Sequence, residues 1–249
     1  MKTDGPLRSE CAPHACRNCP VRIHAIYSAA QDSEIVEIER LRSGYRRMPA
    51  RSLIMQEGNS DEVFTLREGW AYRFRVLPDG RRQILSFLLP GDIVGLHALR
   101  ARPINYSVRA LTDDTICYFE TRKFSQFLRS RPELKETLIR SCAMEVEQLE
   151  ERLIDLGRRT ALERLARLVI ELEQRLCARD AVAGNVFPFP LKQEHIADAL
   201  GLTPVHVSRT VGKLRALGLI ALSGGKMTIH DPEGLSALAS GRSIGTATA

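Results

Sequence analysis

Cys11, Cys16 and Cys19 stand within nine residues of one another near the N-terminus, spaced C-x4-C-x2-C. Thiolates at such spacing are ligands for an iron–sulfur cluster, and four thiolates also suit tetrahedral zinc. Residues 1–20 carry three prolines, a histidine and no helical or strand period, so packing does not account for the thiols there. Reversible oxidation of the same thiols is the third chemistry open to them. No apolar run follows the basic residues of the N-terminus, which excludes a signal peptide, and no stretch approaches the roughly 18 apolar residues of a membrane span. The chain therefore reads as cytoplasmic, with reduced thiols, and its six cysteines point to metal or redox chemistry rather than disulfides. Cys142 and Cys177 fall at apolar helical positions and read as packing groups. Cys117, on a strand, reads by itself as core. His14 and His24 read as surface residues, either of which could replace a thiolate.

A second chemistry lies near the C-terminus. Between Gly201 and His230 there are four Lys or Arg and no Asp or Glu, although the whole chain carries a net charge of only +6. A stretch of one sign is what neutralising phosphates requires. Lys192–Leu200 has the period of a short amphipathic helix, Gly201 supplies a sharp turn, Thr203 can cap a following helix, and Pro204 suits its first position. That second helix runs to about Ala216. Ile196, Ala197, Leu200, Val207, Val211 and Leu214 would hold the pair together, leaving His206, Ser208, Arg209, Thr210, Lys213 and Arg215 largely outside. Leu219–Leu222 and Lys226–Ile229 flank Ser223-Gly224-Gly225 as a hairpin. Helix-turn-helix plus hairpin is a winged helix, and double-stranded DNA is its expected partner.

The elements that must position these groups follow from periodicity. Ile35, Ile38 and Leu41 mark a short helix. From Tyr45 to Glu120, short apolar runs (Ser52–Met55, Val63–Leu66, Trp70–Val76, Gln83–Leu89) alternate with turns such as Pro78-Asp79-Gly80 and Pro90-Gly91-Asp92, the mark of an all-β sandwich or jelly-roll barrel. Thr121–Leu128 is a further short helix. A long one starts at Pro132, on which Leu138, Cys142, Val146, Leu149, Leu153 and Leu156 are spaced 4, 4, 3, 4 and 3, close to a coiled-coil seam ended by Gly157. With Glu145, Glu147, Glu150 and Glu151 covering the other sides, the seam predicts pairing with a second copy. Thr160–Leu176 is the next amphipathic helix.

The segment Gly201-Leu202-Thr203-Pro204-Val205-His206-Val207-Ser208-Arg209 resembles the recognition motif of the Crp/Fnr family of bacterial regulators. Pro90-Gly91-Asp92-Ile93-Val94-Gly95, the central helix and the wing fit the same family over about residues 35–235. The resemblance implies an α+β chain: an N-terminal double-stranded β-helix (jelly-roll) sensor domain, a long dimerisation helix, and a C-terminal winged helix-turn-helix. In this sequence those occupy residues 33–131, 132–157 and 158–236, preceded by a cysteine-bearing segment 1–32 and followed by a disordered tail 237–249. It further implies a homodimer on a palindromic operator, with RNA polymerase as a partner. Arg209 would read a guanine edge, the commonest specific major-groove contact, and Ser208 the backbone or a base. Thr203, Val205, His206, Lys213 and Lys226 complete the expected DNA-contacting set. Val205 stands where members reading a TTGAT-like half-site carry Glu, which leaves readout there to His206.

The resemblance also adds Cys117 to the thiols. Oxygen-sensing members hold a [4Fe–4S] cluster with three N-terminal cysteines and one at the strand matching Asp114–Glu120. Cys16 and Cys19 match the family's C-x2-C pair, whereas its third cysteine falls where this chain has Ala25, so Cys11 would supply the missing ligand. Cyclic-nucleotide binding is not expected. The places that would hold ribose and cyclic phosphate are Leu96, Ile104 and Asn105, and apolar side chains cannot hold an anionic phosphate. An enzyme is not expected either: there is no nucleophile–base pair, phosphate-binding glycine loop or HExxH, and His195 and Glu194 lie on the first helix of the DNA-binding pair.

Overall fold

The structure is a computed structural model that describes residues 16–25, 27–28, 30–58, 61–96 and 103–242. Cys11 and His14 lie outside the described residues. The chain divides into two compact units, residues 1–144 and 145–249.

In the first unit, two four-stranded antiparallel sheets form the expected jelly-roll. One has the order β1-β8-β3-β6, made of Arg42–Met48, Asp114–Glu120, Glu62–Glu68 and Ile93–Val94. The other has the order β2-β7-β4-β5, made of Leu53–Met55, Ser107–Ala110, Ala71–Val76 and Arg82–Leu88. Between them lies an apolar core that includes Met55, Phe64, Leu66, Leu88, Val108 and Ile116. The outer face of the first sheet is covered as well. There Val63, Cys117 and Phe119 pack with Ile35 and Ile38 of α1 (Asp32–Leu41) and Phe124 and Leu128 of α2 (Thr121–Arg129). Cover on both faces explains why β3 is buried at five successive positions, Val63 to Arg67, instead of alternating. A charged residue therefore sits inside, at Arg67.

Helix α3 runs from Pro132 to Arg158, through Gly157, which was expected to stop it. Gly157 does not take the left-handed conformation that would end a helix. The C-terminal turn is instead held by carboxylates on its own surface. Arg167 pairs with Glu151 at 2.7 Å and Asp155 at 2.9 Å, and Arg159 pairs with the same two residues.

The second unit is built on α4 (Ala161–Cys177). Thr160 and Glu163 cap its start, each backbone N–H donating to the other's side chain. Leu165, Leu168, Val169 and Leu172 are its buried stripe, packed against α5 (Gln193–Leu200), α6 (Pro204–Ala216) and α7 (Pro232–Ala239). Cys177 closes α4 but is exposed, because the buried position of that turn belongs to Leu176. Cys142 is likewise exposed, so neither cysteine is a packing group within the chain. Helix α7 carries ordered structure to Ala239, three residues into the stretch expected to be tail. Its start is capped by Asp231, whose carboxylate accepts from Gly234 N at 2.9 Å. A three-stranded sheet of order β10-β11-β9 completes the unit, from Ile220–Ser223, Lys226–Ile229 and Val186–Pro188.

Candidate nucleic-acid interface and thiol site

Helices α5 and α6 are joined by a turn whose geometry follows from three residues. Gly201 takes the left-handed conformation, with φ 65° and ψ 38°, that ends α5. Thr203 then caps α6 by accepting from His206 N at 3.2 Å, and Pro204 opens the helix. Arg164 of α4 fixes the pair from behind. Its guanidinium donates to Leu200 O at 3.1 Å and to Leu156 O at 3.0 Å, so one cation serves the carboxyl ends of α5 and α3. Ile196, Ala197, Leu200, Val207 and Leu214 are buried and Val211 is half-buried, as the spacing required. His195 is buried too, and its Nδ1 accepts from Lys192 N at 3.1 Å, a scaffold role.

The exposed face of α6 carries Val205, His206, Ser208, Arg209, Lys213 and Arg215, with Thr203 at its lip. Val205, Arg209 and Lys213 succeed each other at i, i+4 and i+8 and so form one stripe. Thr210 does not join them. It is buried, and its hydroxyl donates to His206 O at 2.8 Å, which places it in the packed face rather than outside. The wing turns at Gly224-Gly225, with φ 56° and 72°, the positive pair that a tight hairpin requires. Lys226 follows at once and is exposed. Arg209, Lys213, Arg215 and Lys226 make no ion pair among the described residues. Four cations with no carboxylate partner among the described residues, on one helix and the adjacent wing, are a surface for a polyanion.

The thiols gather on the outer face of the first sheet. Cys16 opens a 3-10 turn, Cys16–Asn18, which is tied down through Cys16 itself. Cys16 N donates to Glu39 on α1 at 3.3 Å, and Arg42 Nη1 donates to Cys16 Sγ at 3.0 Å. Arg22, one turn further on, donates to Ala30 O at 2.8 Å. Cys16 packs on the apolar cluster to which Cys117, Ala25, Tyr27 and Tyr45 belong. Cys117 lies on β8 directly between Tyr45 of β1 and Thr65 of β3 in the strand register. Burial pushes its thiol up to about 12, the neighbouring Cys19 and Cys16 push in the same direction, and Arg42 and Arg67 oppose them. The Cys16 thiol is raised by burial as well. Cys16, Cys19 and Cys117 thus lie within electrostatic reach of one another. Among the described residues, no three His, Cys, Asp or Glu side chains are arranged to hold a metal ion.

Along α3, the expected seam is exposed at Cys142, Val146, Leu149, Leu153 and Leu156. Its first member differs. Leu138 packs on the apolar cluster of its own β domain, and Ile139 is 60% exposed. With Ile139 in first place the spacing becomes 3, 4, 3, 4 and 3, an unbroken heptad pattern.

Comparison with known proteins agrees with both halves of this architecture. Residues 45–131 match the model of the cyclic nucleotide-binding domain, and residues 163–238 that of the Crp-like helix-turn-helix domain. The nitrogen fixation regulation protein FixK of Bradyrhizobium diazoefficiens is 34% identical over 226 residues, covering 91% of this chain and 94% of that protein. The chain belongs to the Crp/Fnr family. The transcriptional activator protein FnrL of Cereibacter sphaeroides is 32% identical over 220 residues, with 87% and 88% of the two chains covered. The structure of FixK2 from Bradyrhizobium japonicum superposes with a TM-score of 0.71 at 26% identity, covering 78% of this chain and 96% of that one. As a Crp/Fnr protein, the chain is a DNA-binding transcription regulator and not an enzyme. No helix among the described residues is long and apolar enough to cross a membrane.

Within the Crp/Fnr frame, Ile104 is buried in the core between the two sheets and pairs with Gly58 through backbone hydrogen bonds in both directions. Sequence reading missed three groups of the thiol site, Arg42, Tyr45 and Arg67. Arg67 was hidden because β3 looks like an ordinary strand until both faces of the sheet are covered.

Proposed function

We propose that this Crp/Fnr regulator responds to oxygen or redox state through an iron–sulfur cluster, held by Cys16, Cys19 and Cys117 with Cys11 as the expected fourth ligand. The observation that carries this reading is the meeting of Cys16 and Cys117, 101 positions apart in sequence, on one apolar cluster with two arginines beside them. What supports the reading is the chemistry of the donors, not a metal site preassembled among the described residues. Soft thiols dominate, the setting is largely apolar, and a buried arginine nitrogen, Arg67 Nε, lacks a hydrogen-bond acceptor among the described residues. When bound, such a cluster supplies oxygen-labile bonds that tie the N-terminal segment to β8. The protein's own residues do the rest. Arg22 and Glu39 dock the Cys16–Cys19 turn on α1, and α3 pairs with a second copy to place two α6 helices on a palindromic operator in cytoplasmic double-stranded DNA. RNA polymerase is the further partner expected of such a regulator. Losing the ligand bonds would release the turn and shift the population away from the DNA-binding dimer.

A second reading is a regulator without iron, with zinc or with thiols that respond to oxidation directly. It is supported by the half-exposed Cys16 thiol, open to an oxidant, whose Sγ accepts from Arg42 against the burial that raises it. An anaerobic absorption spectrum of purified full-length protein, with iron, acid-labile sulfide and zinc counted per chain, separates the two. The iron–sulfur reading expects iron and sulfide that disappear in air. It falls if the protein binds neither and regulates equally with and without oxygen.

A further inference from the structure

We propose that Arg42 and Arg67 are the built-in counter-charge of the thiol site, positioned to hold the negative charge that thiolate ligands and an iron–sulfur cluster bring against the β domain. The inference rests on the iron–sulfur reading and assigns a role to two residues that it leaves unused. Both guanidinium groups converge on one ring. Arg42 Cζ lies 4.0 Å from the Tyr45 centroid and Arg67 Cζ 5.3 Å from it, while Tyr45 stands directly across from Cys117 in the register. Arg67 is only 6% exposed. Its Nε finds no hydrogen-bond acceptor among the described residues, and Glu68 Oε1, the oxygen with which it pairs, is 3.6 Å away on an exposed side chain.

Two like charges facing the same small region repel, and a buried guanidinium without a close anion is costly. The carboxylate on the Cys16 side, Glu39, accepts from Cys16 N. The arrangement makes sense if an anion comes to lie beside Tyr45, between the two guanidinium groups. Thiolate sulfurs are that anion: Arg42 already donates to Cys16 Sγ, and Arg67 lies within electrostatic reach of Cys117. Outer-shell donors of this kind set ligand orientation and affinity, and net charge and hydrogen bonds to sulfur set the reduction potential of a cluster. Arg42 and Arg67 are therefore positioning residues, acting through the thiolates.

The test uses the full chain reconstituted anaerobically with iron and sulfide, in wild type and in Arg42→Gln, Arg67→Gln, Arg42→Lys and Arg67→Lys. Three quantities are read: iron and sulfide per chain after anaerobic gel filtration, the reduction potential by optical titration, and the decay of the visible absorbance in air. The glutamine variants should show a more negative potential and a several-fold faster decay, because a cation that opposed the cluster's charge is gone. The lysine variants keep the charge and should recover most of the potential while losing part of the stability in air. Thermal unfolding of the metal-free variants separates this from simple damage to the fold. If the glutamine variants hold iron at the wild-type potential and decay at the wild-type rate, the arginine assignment is overturned and the cluster reading stands. If they lose iron only in proportion to a lowered unfolding temperature, with the potential of the remaining cluster unchanged, the arginines are structural and the assignment is likewise overturned. If wild type itself binds no iron, both readings fall together. Should Arg67→Gln fail to fold, Arg67→Lys and the Arg42 pair carry the same comparison.

Discussion

Leu138 and Ile139 are neighbours in the chain and face different surroundings: Leu138 packs on the apolar cluster of its own β domain, and Ile139 is 60% exposed. The division follows from the 100° that separates successive residues on a helix, and it fixes which apolar residues of α3 are left for a second copy. Ile139→Lys and Leu149→Lys should each place a charge in the seam and raise the dimer dissociation constant at least tenfold, read by sedimentation. Leu138→Ala should behave oppositely, lowering the unfolding free energy by about 1–3 kcal/mol with the sedimentation unchanged. A fully dimeric Leu149→Lys would show that the seam is misplaced.

Arg209 and Lys226 are both exposed cations without an ion pair among the described residues, yet they should fail differently. Arg209 lies mid-stripe on α6, where a bidentate contact to a base edge is possible. Arg209→Ala should cost about 1–3 kcal/mol and relax preference at one base pair per half-site. Lys226 begins β11 in the wing and would meet phosphate. Its alanine variant should weaken all sequences alike and flatten the salt slope by about one. Equal, sequence-blind losses for both in binding titrations would overturn this division.

Asp114 gives the first unit a pH-dependent stability. It is 3% exposed, accepts from the Thr112 hydroxyl at 2.9 Å through Oδ1, and has no hydrogen-bond partner at Oδ2 among the described residues. Burial raises its carboxyl to about 7, from 3.8 for an ordinary aspartate, and Asp113 adds to the rise. The folded chain thus holds a proton that the unfolded chain has released. The resulting stability is fully present below about pH 4 and is lost as pH rises to about 7, by up to about 1.4 kcal/mol per pH unit. Asp114→Asn removes the titration, so its unfolding free energy should lack this slope between pH 4 and 7. A slope in chemical denaturation equal to that of wild type would place the titration elsewhere.

The two-sheet domain, the long helix and the winged helix were legible because period 2, period 3.6 and glycine turns are local signals. What was not legible depended on partners distant in sequence. β9 is three residues ending in Pro188 and becomes a strand only by pairing with β11. Thr210 looked external by its polarity, but its hydroxyl is satisfied within the helix by His206 O, so burial there costs little. Leu138 and Ile139 are both apolar, and only the packing of α3 decides between them. Arg42, Tyr45 and Arg67 meet through the register of β1, β8 and β3, which no spacing along the chain encodes.

Ala25 offers the sharpest test of the ligand set, because it stands where family resemblance expects a cysteine and is buried in the same apolar cluster as Cys117. If Cys11 supplies the fourth thiolate, Cys11→Ser should lose most of the visible iron–sulfur absorbance under anaerobic reconstitution. Cys16→Ser and Cys117→Ser should lose it as well, while Cys142→Ser and Cys177→Ser keep it, since both of those cysteines are exposed on helices. The double variant Cys11→Ser, Ala25→Cys should then recover the absorbance. A thiol at position 25 faces the cluster that holds Cys117, and the added sulfur is small enough that overpacking should cost only about 1–3 kcal/mol. Recovery would show that one thiolate is interchangeable between an upstream segment and the Ala25 site. A Cys11→Ser protein with full, oxygen-sensitive absorbance would instead move the fourth ligand away from Cys11, to His14 or His24. His24 packs against the Gly91 turn, and replacing it as well would then be the variant that empties the site.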